Sequence, residues 1–158
     1  MKHILIPLLA DKGLFTILPK DKEKYTLMAG GGFSISIKNK AIDNKYVLGL
    51  LNSTLLFWYL QKLSNVFRGG WITCTKQYFS QLPIKIPKSK TEKQLHDEVV
   101  QLVETMLQLN KEKQQTTTPD KLDQLNTRIK YTDDKINKLV YQLYGLSEEE
   151  IGIVEGEK

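Results

Sequence analysis

The sequence predicts an α+β protein: a small mixed β/α lobe over residues 1–90, an antiparallel coiled-coil helical hairpin over residues 91–146, and a short acidic tail over residues 147–158. Three observations predict it. The first forty residues alternate short apolar runs with turn signals, which is the pattern of strands joined by tight connections. A nearly all-apolar stretch from Val47 to Leu60 is followed by a glycine-hinged aromatic segment and then by a proline-bounded one. From Thr91 onward the apolar spacing changes to the alternating threes and fours of a coiled coil.

Taken in order, Ile4 to Leu9, Leu14 to Leu18, Tyr25 to Met28 and Phe33 to Lys38 are the expected strands, separated by Asp11-Lys12-Gly13, the charged stretch from Pro19 to Lys24, and Gly30-Gly31-Gly32. In the last of them Phe33, Ile35 and Ile37 alternate with Ser34, Ser36 and Lys38 at period two. Asp43 or Asn44 caps a helix expected to run to Leu63, with Val47, Leu48, Leu51, Leu55, Phe57, Trp58 and Leu60 surrounding its axis, so it belongs at the centre of the core. Asn52-Ser53 falls in the middle of that helix and is read as structural, each side chain satisfying a nearby backbone group. Val66 to Thr73 is expected to be extended, Lys76 to Gln81 a short helical turn, and Leu82 to Pro87 an edge strand or exit segment, because proline has no N–H for a central ladder. Leu95, Val99, Leu102, Met106 and Leu109 then line one helix and Leu122, Leu125, Ile129, Thr132, Ile136, Leu139 and Leu143 a second, with Pro119 placed for a first turn. Each arm is roughly 35–40 Å long at the helical rise.

With 158 residues, 41% of them hydrophobic, the chain can bury roughly two thirds of its unfolded surface. The lone Cys74 cannot form an internal disulfide, and the N-terminus carries no secretory pattern, so a cytoplasmic protein is expected. The Val47–Leu60 run is broken by Gly49, Asn52, Ser53 and Thr54 and is too short to span a bilayer. The formal charge of +5 conceals an asymmetry: residues 1–90 hold 14 Lys+Arg against 4 Asp+Glu, or +10, and residues 91–158 hold 9 against 14, or −5. A basic lobe of this density concentrates a polyanion, while an acidic, heptad-patterned segment has another partner.

Ala29-Gly30-Gly31-Gly32-Phe33, the Leu50-Leu51-Asn52-Ser53 helix, Phe67-Arg68-Gly69-Gly70, Lys76-Gln77-Tyr78-Phe79 and Leu82-Pro83-Ile84-Lys85-Ile86-Pro87, in this order, resemble the TaqI-like C-terminal specificity domain. That domain is the target-recognition part of adenine-N6 DNA methyltransferases of type IIG and related restriction-modification or phage-defence systems. The segment from Ile136 to Ile151 is similar to the closing motif of the same enzymes, and the proline-bounded segment running into a long helix is also similar to the half-repeats of type I specificity subunits. The resemblance implies double-stranded DNA as partner, together with a methyltransferase or endonuclease domain or subunit. It implies S-adenosylmethionine as the cofactor of that missing catalytic domain and none in this chain. The chain would act as the C-terminal piece of a larger enzyme or as a separate polypeptide supplying specificity in trans, with a homodimer through the hairpin as a further option.

Arg68 is the leading base-reading residue, since a guanidinium can hydrogen-bond guanine O6 and N7 together in the major groove, and Gly69-Gly70 would let the backbone approach closely. Trp71, Thr73, Thr75, Lys76, Gln77 and Tyr78 offer stacking, hydroxyl, amide and cationic contacts beside it. Lys20, Lys22, Lys24, Lys38, Lys40 and Lys45 are candidate phosphate contacts, which position without specifying. Plainer readings stand beside these: Trp71 as core, Gly69-Gly70 as an ordinary turn, Tyr78 and Phe79 as seats for the short helix, and the lysines as solvated surface.

Catalysis has less support. The Asn-Pro-Pro-aromatic motif expected from the resemblance is missing, because no Asn-Pro occurs in the chain. Gly30-Gly31-Gly32 lacks both the Lys-Ser/Thr of a P-loop and GxGxxG spacing. Pro119-Asp120 followed by Asp133-Asp134-Lys135 mimics a nuclease centre, but Asp120 reads as a helix start and the others fall on one helical arm. His3, His96 and Cys74 give no recognised metal spacing, and His96 is expected on the hairpin's polar flank. The expectation is therefore non-catalytic, sequence-specific binding of duplex DNA, with a coiled-coil interaction module that touches nucleic acid non-specifically as the alternative.

Overall fold

In a computed structural model of the chain, residues 3–18 and 30–156 are described. The elements in order are β1 (Ile4–Pro7), β2 (Leu9–Ala10), β3 (Thr16–Ile17), β4 (Gly32–Ile35), α1 (Asn44–Asn52), α2 (Thr54–Leu63), a 3₁₀ turn (Arg68–Gly70), β5 (Ile72–Thr73), α3 (Lys76–Phe79), α4 (Lys90–Gln114), α5 (Pro119–Tyr144) and α6 (Glu148–Glu155). The α+β class read from the sequence is the class observed.

β1 is the middle of an antiparallel sheet ordered β3-β1-β4, with Ile4 opposite both Ile17 and Ile35 and Ile6 opposite Phe33. Ile4 and Ile6 are buried, so one face of the strand meets the core as period two requires. The expected run from Ile4 to Leu9 divides at Leu8. Its N–H donates to the Gly31 carbonyl (3.1 Å) and its carbonyl accepts from the Cys74 N–H (2.7 Å), so β2 leaves the first sheet and pairs antiparallel with β5. At Gly32 a Cβ would overlap the Ile6 carbonyl, which accounts for a glycine at the start of β4. The expected strands at Leu14–Leu18 and Phe33–Lys38 are shorter than their apolar patterns, and the one at Tyr25–Met28 lies outside the described residues.

The single helix expected from Asp43 to Leu63 is two. Ser53 is extended (φ −66°, ψ 151°) and serves as the end of α1 and the N-cap of α2, its Oγ donating to the Leu50 carbonyl (2.6 Å) and accepting from the Leu56 N–H (3.3 Å). The Thr54 N–H, freed by the break, donates to Asn137 Oδ1 on α5 (2.8 Å). Asn52 accepts from the Phe15 N–H (2.8 Å) and donates to the Phe15 carbonyl (2.9 Å), supplying the partner that a neighbouring strand would otherwise give. Both side chains do satisfy backbone groups, as read from the sequence, and they do so at a break in the helix.

α4 begins with a capping box formed by Ser89 and Glu92, α5 begins with Pro119 in its first turn, and left-handed Gly145 (φ 70°) closes α5. The two helices pack along one another, with α4 lying on α1 and α5 meeting α2. Gly49 permits the contact: a Cβ there would stand 2.8 Å from methyls of both Val99 and Val103. One buried cluster thus runs from Ile4 and Ile6 through Leu50 and Leu51 to Val99, Val103, Ile136, Val140 and Leu143. The acidic segment adds α6, which contacts α2 and buries Val154, while Tyr141 Oη donates to Glu155 Oε1 (3.1 Å). Among the described residues no helix is long and apolar enough to cross a membrane.

Leu82–Pro87 is the exit segment and pairs with no strand among the described residues. Its backbone groups go to tyrosines instead. Tyr46 Oη from α1 donates to the Lys85 carbonyl (2.8 Å), and Tyr144 Oη from α5 accepts from the Lys85 N–H (3.2 Å) and donates to the Pro83 carbonyl. Lys85 Nζ reaches the Leu143 carbonyl (2.6 Å) at the end of α5 and Glu92 Oε1 (3.1 Å) at the start of α4. Burial pushes both tyrosine hydroxyls above their usual range, so they stay neutral donors. His96, expected on a polar flank, packs its ring against Tyr46 (4.5 Å between centroids) and accepts the Asp43 N–H at Nε2 (3.2 Å). α1's proximity, which heptad counting does not see, accounts for the difference.

Candidate nucleic-acid interface

Val66 to Thr73, read as one extended segment, is a tight hairpin. Val66 bridges to Ile72, the Phe67 N–H donates to the Trp71 carbonyl (2.7 Å), and the Gly70 N–H donates to the Phe67 carbonyl (3.2 Å). The chain reverses this sharply because Gly69 (φ 82°) and Gly70 (φ 80°) occupy the left-handed region that side-chain-bearing residues rarely adopt. Arg68 is placed at the apex by its backbone. The tip faces solvent: Trp71 is 44% exposed, Phe67 54% and Val66 63%, so the reading of Trp71 as core does not hold.

β5 continues from the tip to α3 and is held from one side by β2. Ile72 and Cys74 are fully buried, and burial raises the Cys74 thiol to about 11, so it is an inert core residue. Thr73 is half-buried, its carbonyl and Oγ1 both engaged by Ser64 Oγ (2.6 and 3.2 Å). Thr75 Oγ1 is buried with no hydrogen-bond partner, which takes this hydroxyl out of the accessible set. On α3, Phe79 points inward and meets Phe15 and Phe33 edge-on (5.3 and 5.6 Å), and Tyr78 packs partly buried against the core. Lys76 and Gln77 are exposed, with Lys76 Nζ 6.0 Å from the Phe33 ring centre. The strand therefore carries an apical arginine at one end and an exposed lysine and glutamine at the other. The stretch from Trp71 to Thr75 spans at most roughly 13 Å at strand rise.

The six lysines expected to touch phosphate separate into three groups. Lys38 and Lys40 are exposed in the segment after β4. Lys45 is only 16% exposed at its side chain and pairs with Glu104 on α4 (2.9 Å), so its charge is spent holding the hairpin. Lys20, Lys22 and Lys24 lie outside the described residues. Phe67 and Val66 were not singled out as site residues by the sequence reading. The signal available was the pair of aromatics flanking Arg68-Gly69-Gly70, which a hairpin tip turns to the same end of the molecule.

The chain thus joins a basic α+β part with an exposed glycine turn to two long helices that carry no basic excess. A family model, the TaqI-like C-terminal specificity domain, matches residues 2–84, more than half of the chain. The chain belongs to that family. The matched region is a specificity domain of restriction-modification enzymes and not a catalytic one, which supports DNA recognition in association with a methyltransferase or restriction partner. No curated protein matches the chain.

Proposed function

We propose that this chain is the non-catalytic, sequence-reading part of an adenine-N6 DNA methyltransferase in a restriction-modification or phage-defence system. The observation that supports the reading most is a coincidence of place: the family match at residues 2–84 falls on the lobe that holds the positive charge and presents the Arg68–Gly70 turn. Arg68 reads a guanine through O6 and N7, Gly69 and Gly70 allow the backbone near the groove, and Trp71, Lys76 and Gln77 contact neighbouring base or sugar edges. Lys38 and Lys40 hold phosphates. S-adenosylmethionine belongs to the catalytic domain or subunit in this reading, and the reading places the hairpin against that partner or against a second copy of the chain.

The test is selection of bound duplexes from a randomised DNA pool by the 158-residue chain at two salt concentrations. An enriched motif of a few base pairs that persists at the higher salt is expected. Binding that disappears with salt and leaves no motif would favour an interaction module whose hairpin is the working surface and whose lobe attracts nucleic acid without sequence preference. Within the selected motif, Arg68→Ala should relax one position, whereas Lys40→Ala should weaken all sequences alike.

A further inference from the structure

Nine large hydrophobic residues are exposed among the described residues, and three of them, Val66, Phe67 and Trp71, lie within six positions of one another at a single hairpin tip. The tip is built to hold them outward. Two backbone hydrogen bonds close it, and its apex carries two glycines, so between the aromatic rings only Arg68 has a side chain. Trp71 Cδ1 lies 3.6 Å from where a Gly69 Cβ would stand, which places the indole alongside the apex.

We propose that Phe67 and Trp71 form a wedge that enters the base stack of duplex DNA and locally unwinds it. The inference rests on the DNA reading above and adds a mode of contact to it: the tip separates a base step by insertion in addition to reading base edges. Apolar side chains inserted between base steps partly unstack them and kink the duplex. Aromatic faces gain stacking on any base. A protein-docking patch of this size would serve the rings equally well, but the residue between them is an arginine and the lobe around it carries +10, both of which favour a polyanion. The flanking glycines keep the apex narrow enough to follow the rings into a groove.

The experiment uses the whole chain and needs no knowledge of the recognition sequence. Because the chain has two tryptophans, a Trp58→Phe protein leaves Trp71 as its only indole. Titration with duplex DNA, followed by both fluorescence intensity and anisotropy of labelled DNA, should show binding accompanied by strong quenching. Relaxation of a closed plasmid by topoisomerase in the presence of the protein should leave a linking-number change. Phe67→Ala and Trp71→Ala should abolish that change and weaken binding roughly 5- to 150-fold, while Trp71→Phe should restore much of both. Binding with neither quenching nor a linking-number change would overturn the wedge and leave the DNA reading intact. Absence of duplex binding at any salt would overturn both. A thermal melt of each variant that matches the parent keeps a folding defect from imitating either result.

Discussion

The junction of α1 with the hairpin and the tip at residues 66–71 are built from the same kinds of residue, glycines and aromatics, used in opposite ways. At the junction Gly49 removes a side chain so that Val99 and Val103 can close on α1, and Tyr46 and Tyr144 turn their hydroxyls inward to the Lys85 and Pro83 backbone. At the tip Gly69 and Gly70 supply backbone conformations, and Phe67 and Trp71 face water. The difference teaches that residue type does not separate scaffold from surface here. What separates them is whether the aromatic group is packed into the core or left exposed.

The comparison breaks most readily at the junction. Leu50→Ala, at a fully buried position beside Gly49, should cost about 3–4 kcal/mol in chemical denaturation, from lost transfer energy and the cavity left behind. Gly49→Val should cost about 2–3 kcal/mol by overpacking against α4, and the loss should shrink when Val99→Ala is added, because one of the two clashing methyls is then gone. Tyr144→Phe removes one acceptor and one donor from the Leu82–Pro87 segment. A loss of about 2 kcal/mol is expected, close to that of leaving a buried polar group unpaired.

A smaller effect is present at neutral pH and fades in acid. The Ser89 and Lys88 N–H groups, and then the Lys85 ammonium, hold the Glu92 carboxyl down from its ordinary 4.5 to about 2. A carboxylate whose folded pKa is depressed contributes stability above the unfolded value, and that contribution is lost as pH falls through the folded one. Glu92→Gln should therefore be less stable than the parent at neutral pH, and the gap should narrow from about 4.5 toward about 2 in melts taken across that window.

The smallest effects on stability belong at the tip and sharpen the contrast. Trp71→Ala should shift stability by less than about 0.5 kcal/mol, as exposed substitutions do, while lowering duplex affinity. Thr75→Val should do the reverse, raising stability by up to about 1 kcal/mol because a buried hydroxyl without a partner is replaced by a methyl, with DNA affinity unchanged. A Trp71→Ala protein that melted several degrees lower would show that the ring supports the fold after all.

Local chemistry made much of this legible. The heptads and Pro119 located the hairpin, and Asp43 located the start of α1, because caps and periodicity act over a few residues. The break at Ser53 was written in Asn52-Ser53-Thr54, three residues that compete for backbone hydrogen bonds, but the apolar run around them concealed it. Lys40 and Lys45 are chemically alike, and only the arrival of Glu104 from a distant helix takes one of them out of solvent. Thr75 likewise reads as a polar contact until packing around β5 and α3 encloses its hydroxyl. Trp71 was hidden the other way, since large aromatics are usually buried on average and only the geometry of the turn puts this one outside.

The clamp on Leu82–Pro87 has a mechanical consequence. The connector is gripped from the lobe by Tyr46 and from the hairpin by Tyr144 and the Lys85 contacts, so a swivel between the two would have to break them. Torque applied at the far loop of the hairpin, between Gln114 and Pro119, would pass down α4 into α1 and down α5 into α2. The hairpin is in this sense a rudder: whatever grips its distal end sets the bearing of the lobe.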